Sequence, residues 1–220
     1  MKTSIRIGAL AAIASLLVAL AACVARPTWR GDEGAAYDVL NRSTIALLEI
    51  DRDALAGPLG SAMHHACAVF VFPGHVKGLP SPTATRADGV LLVRDRSTGH
   101  WSGPAFYALH SHDTIAGEHA DHRGLVIAVG CAALRRLYAD TTTDSPIELQ
   151  DATPTDMTAW TLSSGHSYQA SLDAMSLRPL PVISLAFYQA PASLAAITVD
   201  KSVRNDASAE IQSAIESVTK

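Results

Sequence analysis

The chain has 220 residues, of which 48% are hydrophobic and 17% charged, with a formal net charge of −4. This composition is typical of a globular protein with one domain, and it excludes a largely disordered chain. The acidic balance excludes general nucleic-acid binding, because that function requires a basic surface to neutralise phosphates.

The N-terminus has the pattern of a bacterial lipoprotein signal. Basic residues precede an apolar run at 7–22, which is shorter than the roughly 20 residues that a membrane-spanning helix requires. The run ends in Leu-Ala-Ala-Cys at 20–23, which has the form of a lipobox. We therefore expect residues 1–22 to be a signal peptide and the mature chain to begin at Cys23, whose thiol receives a diacylglycerol.

Two alternatives remain for this segment: an ordinary signal peptide that contains a cysteine, and an uncleaved membrane helix. The lipoprotein interpretation predicts a persistent bilayer anchor, because two or three acyl chains hold far better than one. Val24 stands where inner-membrane lipoproteins often carry Asp, so we expect the periplasmic face of an outer membrane. Residues 23–34 are expected to be the lipidated N-terminus and a spacer, followed by one folded domain at 35–220.

The predicted elements are a long helix followed mainly by strands. Apolar residues at three-to-four spacing predict a helix from Ala36 to the stop at Gly57 and Pro58, with a candidate break at 41–43. Strands are predicted at 69–72, 89–93, 101–109, 125–129, 158–163, 167–172 and 182–188, and short helices at 132–138 and 207–218. The expected fold is α+β: antiparallel sheets, with a barrel-like arrangement among the alternatives, packed with an N-terminal helix and short C-terminal helices.

Two cysteines remain once Cys23 is acylated, and the periplasm permits disulfides. Cys67 and Cys131 lie in or beside apolar runs, where a free cysteine behaves as a small buried hydrophobe. The sequence leaves both states open, two buried thiols and one disulfide.

Several segments resemble the SYLF-domain family. They are AVFVFP at 68–73 with KG at 77–78, GVLLVRD at 89–95, WSGPAFY at 101–107, LVIAV at 125–129 and the stretch 167–188. The run 101–107 is the most specific of them. The family is known for lipid binding in bacteria and in eukaryotic membrane and actin-patch proteins, so the resemblance implies a non-enzymatic lipid-binding domain without a cofactor. The chain departs from the family's pattern at 79–83 and 110–119, so the resemblance does not imply a particular lipid.

A lipid-binding domain requires apolar surface and a few cations that bind head groups. Four cations lie around the first loops, Lys77, Arg86, Arg94 and Arg96, and of these Lys77 and Arg94 are the candidate head-group contacts. Trp101 and Phe106 are candidates for lining an acyl-chain site, although aromatic residues on strands more often belong to the core. The expected partners are membrane lipid, through head groups or acyl chains, and the bilayer itself, through acylated Cys23; no protein partner is specified.

Histidines are concentrated between His100 and His122. On a strand His110 and His112 share one face, and on a helix His119 and His122 would lie together, so these four are candidate zinc or copper ligands. The stretch is polar and matches no specific zinc signature, so solvated loop residues are the alternative.

No nucleophile with a positioned base is recognisable in the sequence, so we do not expect an enzyme. Three functions remain: a membrane-anchored lipid-binding lipoprotein, an envelope scaffold or protein-binding module, and a periplasmic metal-binding protein that uses the histidines at 110–122. The family resemblance favours the first.

Overall fold

The structure is a computed structural model that describes residues 30–50, 52–74, 85–111, 124–140, 146–149, 156–163, 166–173 and 175–219. Asp32–Lys220 form one compact unit. The lipobox and Cys23 lie outside the described residues, as do the segments 75–84 and 112–123.

Three helices precede the sheet: α1 (Arg30–Leu48), α2 (Arg52–Leu55) and α3 (Pro58–His65). The first begins within the segment predicted to be a spacer, and Asp32 and Glu33 favour its start because carboxylates stabilise a helix N-terminus. The predicted break at 41–43 is absent: the helix is continuous there, and Arg42 pairs with Asp38 one turn earlier at 2.9 Å. The helix ends instead at Leu48, and the chain turns so that Ile50 is buried.

The eight strands in the described part of the chain belong to one antiparallel sheet, curled into a half-barrel. They are β1 (Ala68–Pro73), β2 (Thr85–Val93), β3 (Ala105–Ser111), β4 (Gly124–Val129), β5 (Ile147–Glu148), β6 (Met157–Ser163), β7 (His166–Ala170) and β8 (Met175–Pro179), in the spatial order β5-β8-β3-β2-β1-β4-β6-β7. The remaining helices are α4 (Cys131–Asp140), α5 (Pro181–Tyr188), α6 (Leu194–Thr198) and α7 (Ser208–Thr219). The predicted α+β class, with a barrel-like antiparallel sheet and helices at both ends of the chain, is confirmed.

The central strands are buried on both faces, which is why they appear in the sequence as continuous apolar runs. On one face Phe70 meets the ring of Tyr107 edge-on at 5.2 Å between centroids. On the other face Phe106 meets Phe187 of α5 at 5.3 Å. Phe187 in turn contacts Tyr37 of α1, so two helices cover this part of the sheet.

Gly89 is required by close packing at the centre of the sheet. It pairs with Tyr107 across the β2–β3 ladder. A Cβ at this position would overlap the Phe72 ring and the Val71 carbonyl. A glycine in a strand often marks such a close approach.

The prediction of a strand at 182–188 is wrong, because this segment is helix α5. A short apolar run is compatible with either a strand or a buried helix. Pro181 starts the helix at a position where a missing N–H costs nothing, and Gln189 ends it in the left-handed region at φ 57°. The prediction also missed two strands that the structure contains, the two-residue β5 and β8, which lies just before this helix.

The structure joins Cys67 and Cys131 in a disulfide, with the two Cα atoms 5.1 Å apart. It therefore selects the disulfide from the two states that the sequence left open. Cys67 also continues the ladders beyond β1, since its N–H donates to the Val129 carbonyl and its carbonyl accepts from the Arg94 N–H, both at 2.9 Å. The disulfide thus ties the entry to β1 to the first residue of α4.

Replacing both cysteines, Cys67→Ala with Cys131→Ala, should lower the free energy of unfolding by about 2–4 kcal/mol, because the crosslink restricts the unfolded chain. The two residues are 64 positions apart, a long loop for such a constraint. Urea unfolding monitored by circular dichroism measures the change. A reducing agent should destabilise the wild-type protein similarly and leave the double variant unaffected; a wild-type protein insensitive to full reduction would contradict the assignment.

Candidate functional site

Arg94 and Trp101, two of the predicted lipid contacts, pack on each other. Their backbones form an isolated bridge, and the guanidinium of Arg94 lies 5.7 Å from the centroid of the Trp101 ring. The guanidinium also donates to the carbonyl of His64 in α3 at 2.8 Å. Trp101 is 4% exposed. Both side chains are therefore engaged in the fold where the sequence had suggested a lipid site.

The loop 101–104 attaches two helices to the sheet through hydrogen bonds. The Ser102 hydroxyl accepts from the Val93 N–H at 3.0 Å, and Gln212 of α7 donates to the Trp101 carbonyl at the same distance. The hydroxyl of Tyr188 at the end of α5 donates to the Pro104 carbonyl at 2.9 Å. Burial raises the pKa of Tyr188, which keeps this donor protonated.

Gly103 allows this attachment, because a Cβ there would lie 2.5 Å from the Tyr188 hydroxyl. The most specific run of the family resemblance thus has a structural role at residues 101–104. Its remaining residues, 105–107, enter β3 and line a cavity.

This cavity is an apolar cleft between the first half of β3, the end of β8 and helices α5 and α6, with a volume of about 720 Å³. Phe106 contributes to its wall although the residue is only 1% exposed. Arg178 of β8 also lines it and is exposed at the surface. The role of Arg178 could not be predicted from the sequence. The pattern around it did not indicate a strand, and an isolated arginine is not part of a recognisable motif.

Tyr107, on the same stretch of β3, has an unusual environment. It is 1% exposed, and its hydroxyl has no hydrogen-bond partner among the residues that the structure describes. Burial raises its pKa, and Tyr138 close by raises it further. A buried hydroxyl without a partner costs roughly 1–3 kcal/mol, so such a group often marks a position where a water or ligand completes the structure.

The cations predicted around the first loops do not form one cluster within the described chain. Lys77 lies outside the described residues. Arg86 forms an ion pair with Asp88 at 2.9 Å on the same strand. The guanidinium of Arg96 donates to the Cys131 sulfur at 3.4 Å. Neither arginine is joined to the cleft.

The metal hypothesis concerns residues that the structure covers only in part. His110 lies on β3 opposite Arg86 and Ser176 of the neighbouring strands. His112, His119 and His122 lie outside the described residues. Within the described ranges no three His, Cys, Asp or Glu side chains converge on one point.

The strand ends that flank the segments 75–84 and 112–123 lie together at one end of the sheet. Pro73 pairs with Gly124, and Thr85 pairs with Ser111. The cleft adjoins Ala105–Tyr107 at the opposite end of β3. The two departures from the family's pattern and the cleft are therefore anchored at different ends of the sheet.

The described part of the chain contains no helix whose length and hydropathy would suit a bilayer crossing. No family model, curated protein or solved structure matches the sequence or the fold.

Asp95 organises the turn that leads to Trp101 and is the carboxylate with the clearest electrostatic perturbation. It forms an ion pair with Lys201, and its Oδ1 accepts from the N–H of Ser97 at 2.9 Å and from the hydroxyl of Ser97 at 2.6 Å. Lys201, and then Ser97, hold the pKa of Asp95 well below its ordinary value. The ion pair with Lys201 joins the turn to the segment between α6 and α7.

The lowered pKa predicts a pH dependence of stability. The stabilisation is present above the ordinary carboxyl pKa, near 3.8, and is lost as the pH falls below it towards the folded-state pKa. The variant Asp95→Asn should be less stable than wild type at pH 7 and should lose less stability between pH 4 and pH 2. Urea unfolding at several pH values tests this, with Asp206→Asn as the exposed control; parallel profiles for Asp95→Asn and wild type would refute it.

Proposed function

We propose that this protein is a lipid-anchored, non-enzymatic lipid-binding protein of the bacterial cell envelope. Acylated Cys23 holds it at a membrane, on the periplasmic face of the outer membrane, and its folded domain binds membrane lipid. The observation that carries the proposal is the apolar cleft of about 720 Å³ with an exposed arginine at its wall.

The cleft has the composition that lipid binding requires. Ligand sites are concave, mostly apolar and equipped with a few polar groups that orient the ligand. Aliphatic side chains and prolines supply most of this wall, and the cation of Arg178 is available to an anionic head group. The resemblance of residues 101–107 to a lipid-binding family supports the same class of ligand.

The anchor and the cleft support one another in function. A tether converts lipid binding from a bimolecular to an effectively intramolecular event, so that weak contacts act at high effective concentration. A domain held at a membrane by acyl chains therefore needs only modest affinity of its own. Because modest affinity is sufficient, the segments 79–83 and 110–119 can differ from the family's pattern without loss of lipid binding.

The lipid-binding part of the proposal is tested without the anchor. The mature chain 23–220 with Cys23→Ser should float with vesicles of phosphatidylethanolamine and phosphatidylglycerol in a density gradient, and native mass spectrometry should detect co-purified lipid. Binding should decrease with salt if anionic head groups contribute. Absence of both flotation and bound lipid, in protein that unfolds cooperatively, would overturn the proposal.

The anchor is tested separately in cells. Full-length protein should incorporate labelled palmitate and fractionate with membranes, and Cys23→Ala should lose both properties, because the acylated thiol is gone. The neighbouring substitution Val24→Ala serves as a control that keeps the cysteine. If Cys23→Ala still fractionated with membranes, the lipobox interpretation would be wrong.

A further inference from the structure

We propose that the cleft between β3, β8, α5 and α6 is a fatty-acid site, in which one acyl chain lies along the apolar wall and its carboxylate is bound by Arg178. This inference rests on the proposed lipid-binding function and assigns it a location and a ligand class. The ligand that it predicts is a single-chain amphiphile with one negative charge.

The backbone of the cleft suits an apolar chain at three positions that lack a hydrogen-bond donor. Pro179, Pro181 and Pro191 all line it. Proline has no N–H, so an acyl chain that displaces water from these residues leaves no backbone donor unpaired. The rings also restrict the backbone, which lowers the entropic cost of forming the site.

The aliphatic part of the wall comes from two helices that follow one another in the chain. Leu185 of α5 and Leu194 and Ile197 of α6 line the cleft opposite the strand residues. The volume of about 720 Å³ lies within the range of roughly 300–1,000 Å³ that is typical of small-molecule sites. The cleft therefore has room for one extended chain.

Arg178 supplies a cation at this wall. Arg42, Arg86 and Arg136 each form an ion pair with an aspartate. Arg178 has no such partner within the described ranges. A guanidinium presents its N–H groups in a planar fork that matches the two oxygens of a carboxylate. An exposed arginine beside an apolar cleft, with no ion-pair partner among the residues described, is complementary to the head of a fatty acid.

The register of β3 and β8 places Arg178 on the face of the sheet against which α5 packs. Arg178 pairs with Ala108, two residues from Phe106, so its side chain leaves the sheet on the same face as Phe106. Tyr107 pairs with Pro179 and projects from the other face, where its ring meets Phe70. The guanidinium and the wall formed by Phe106 are therefore on one side of the sheet, and the Tyr107 hydroxyl is not part of the proposed site.

The test is a fluorescence titration of the mature chain 23–220, carrying Cys23→Ser, with dansyl-aminoundecanoic acid and with its methyl ester. Ala192→Trp, which places an indole in the cleft, should weaken binding of both probes about tenfold, because the acyl chain loses its space. Arg178→Gln should weaken binding of the acid roughly threefold to tenfold, since an exposed charged hydrogen bond is partly screened, and should leave the ester unchanged.

The matched control is Arg135→Gln, since Arg135 is an exposed arginine of α4 that does not line the cleft; it should bind both probes as wild type does. Thermal unfolding confirms that each variant is folded. Palmitate should displace the probe more effectively than lysophosphatidylglycerol does, and the reverse order would overturn the assignment of a carboxylate.

The outcomes separate this inference from the function on which it rests. If vesicles and probes bind wild type but Ala192→Trp and Arg178→Gln bind as tightly, the cleft is not the site and the lipid-binding function stands. If wild type binds neither vesicles nor probes, the proposed function itself fails. Loss of acid binding in Arg178→Gln with retention of ester binding supports the fatty-acid site.

Discussion

The structure depends on the burial of its central strands on both faces. Every residue of β1 and β4 is buried, and each of these strands is paired on both sides. An antiparallel sheet usually leaves one face to solvent, so here helices or the sheet's own curvature must cover both. Phe106 and Phe187 on one face, and Phe70 and Tyr107 on the other, show that aromatic packing provides much of this cover. The attachment of the helices to the sheet is therefore a condition for the fold.

The loop 101–104 and the disulfide attach helices to the sheet at two separate places. The loop holds the end of α5 through the carbonyl of Pro104 and the middle of α7 through the carbonyl of Trp101. The Cys67–Cys131 disulfide joins the entry of β1 to α4. Because α5 is held at its C-terminal end, its N-terminal half and α6 form a wall that stands opposite β3. The cleft is thus a consequence of how the helices are attached.

Much of the sheet could be predicted because its residues carry local signals. The apolar runs at 69–72 and 125–129 and the glycine and proline residues after them indicate buried strands irrespective of what surrounds them. The segment 182–188 could not be assigned in this way, because a short apolar run fits a strand and a buried helix equally. The contacts of Arg94 and Trp101 could not be predicted, because residue type does not reveal that a cation will stack on an aromatic ring and donate to a helix carbonyl. The sequence placed His110 and Phe106 on a strand, but it did not show which side chains pack against them.

By itself, the sequence determined the antiparallel α+β class and the positions of most strands, since hydrophobic periodicity and turn residues act over a few neighbouring positions. Only the tertiary structure decided the disulfide, the helical state of α5 and the cleft, because each depends on residues distant in the chain. The cleft combines Phe106, Arg178 and Ile197 from three segments. No pattern within one segment predicts that these residues line one cleft. Their proximity follows from the order of the strands and from the side of the sheet on which each helix packs.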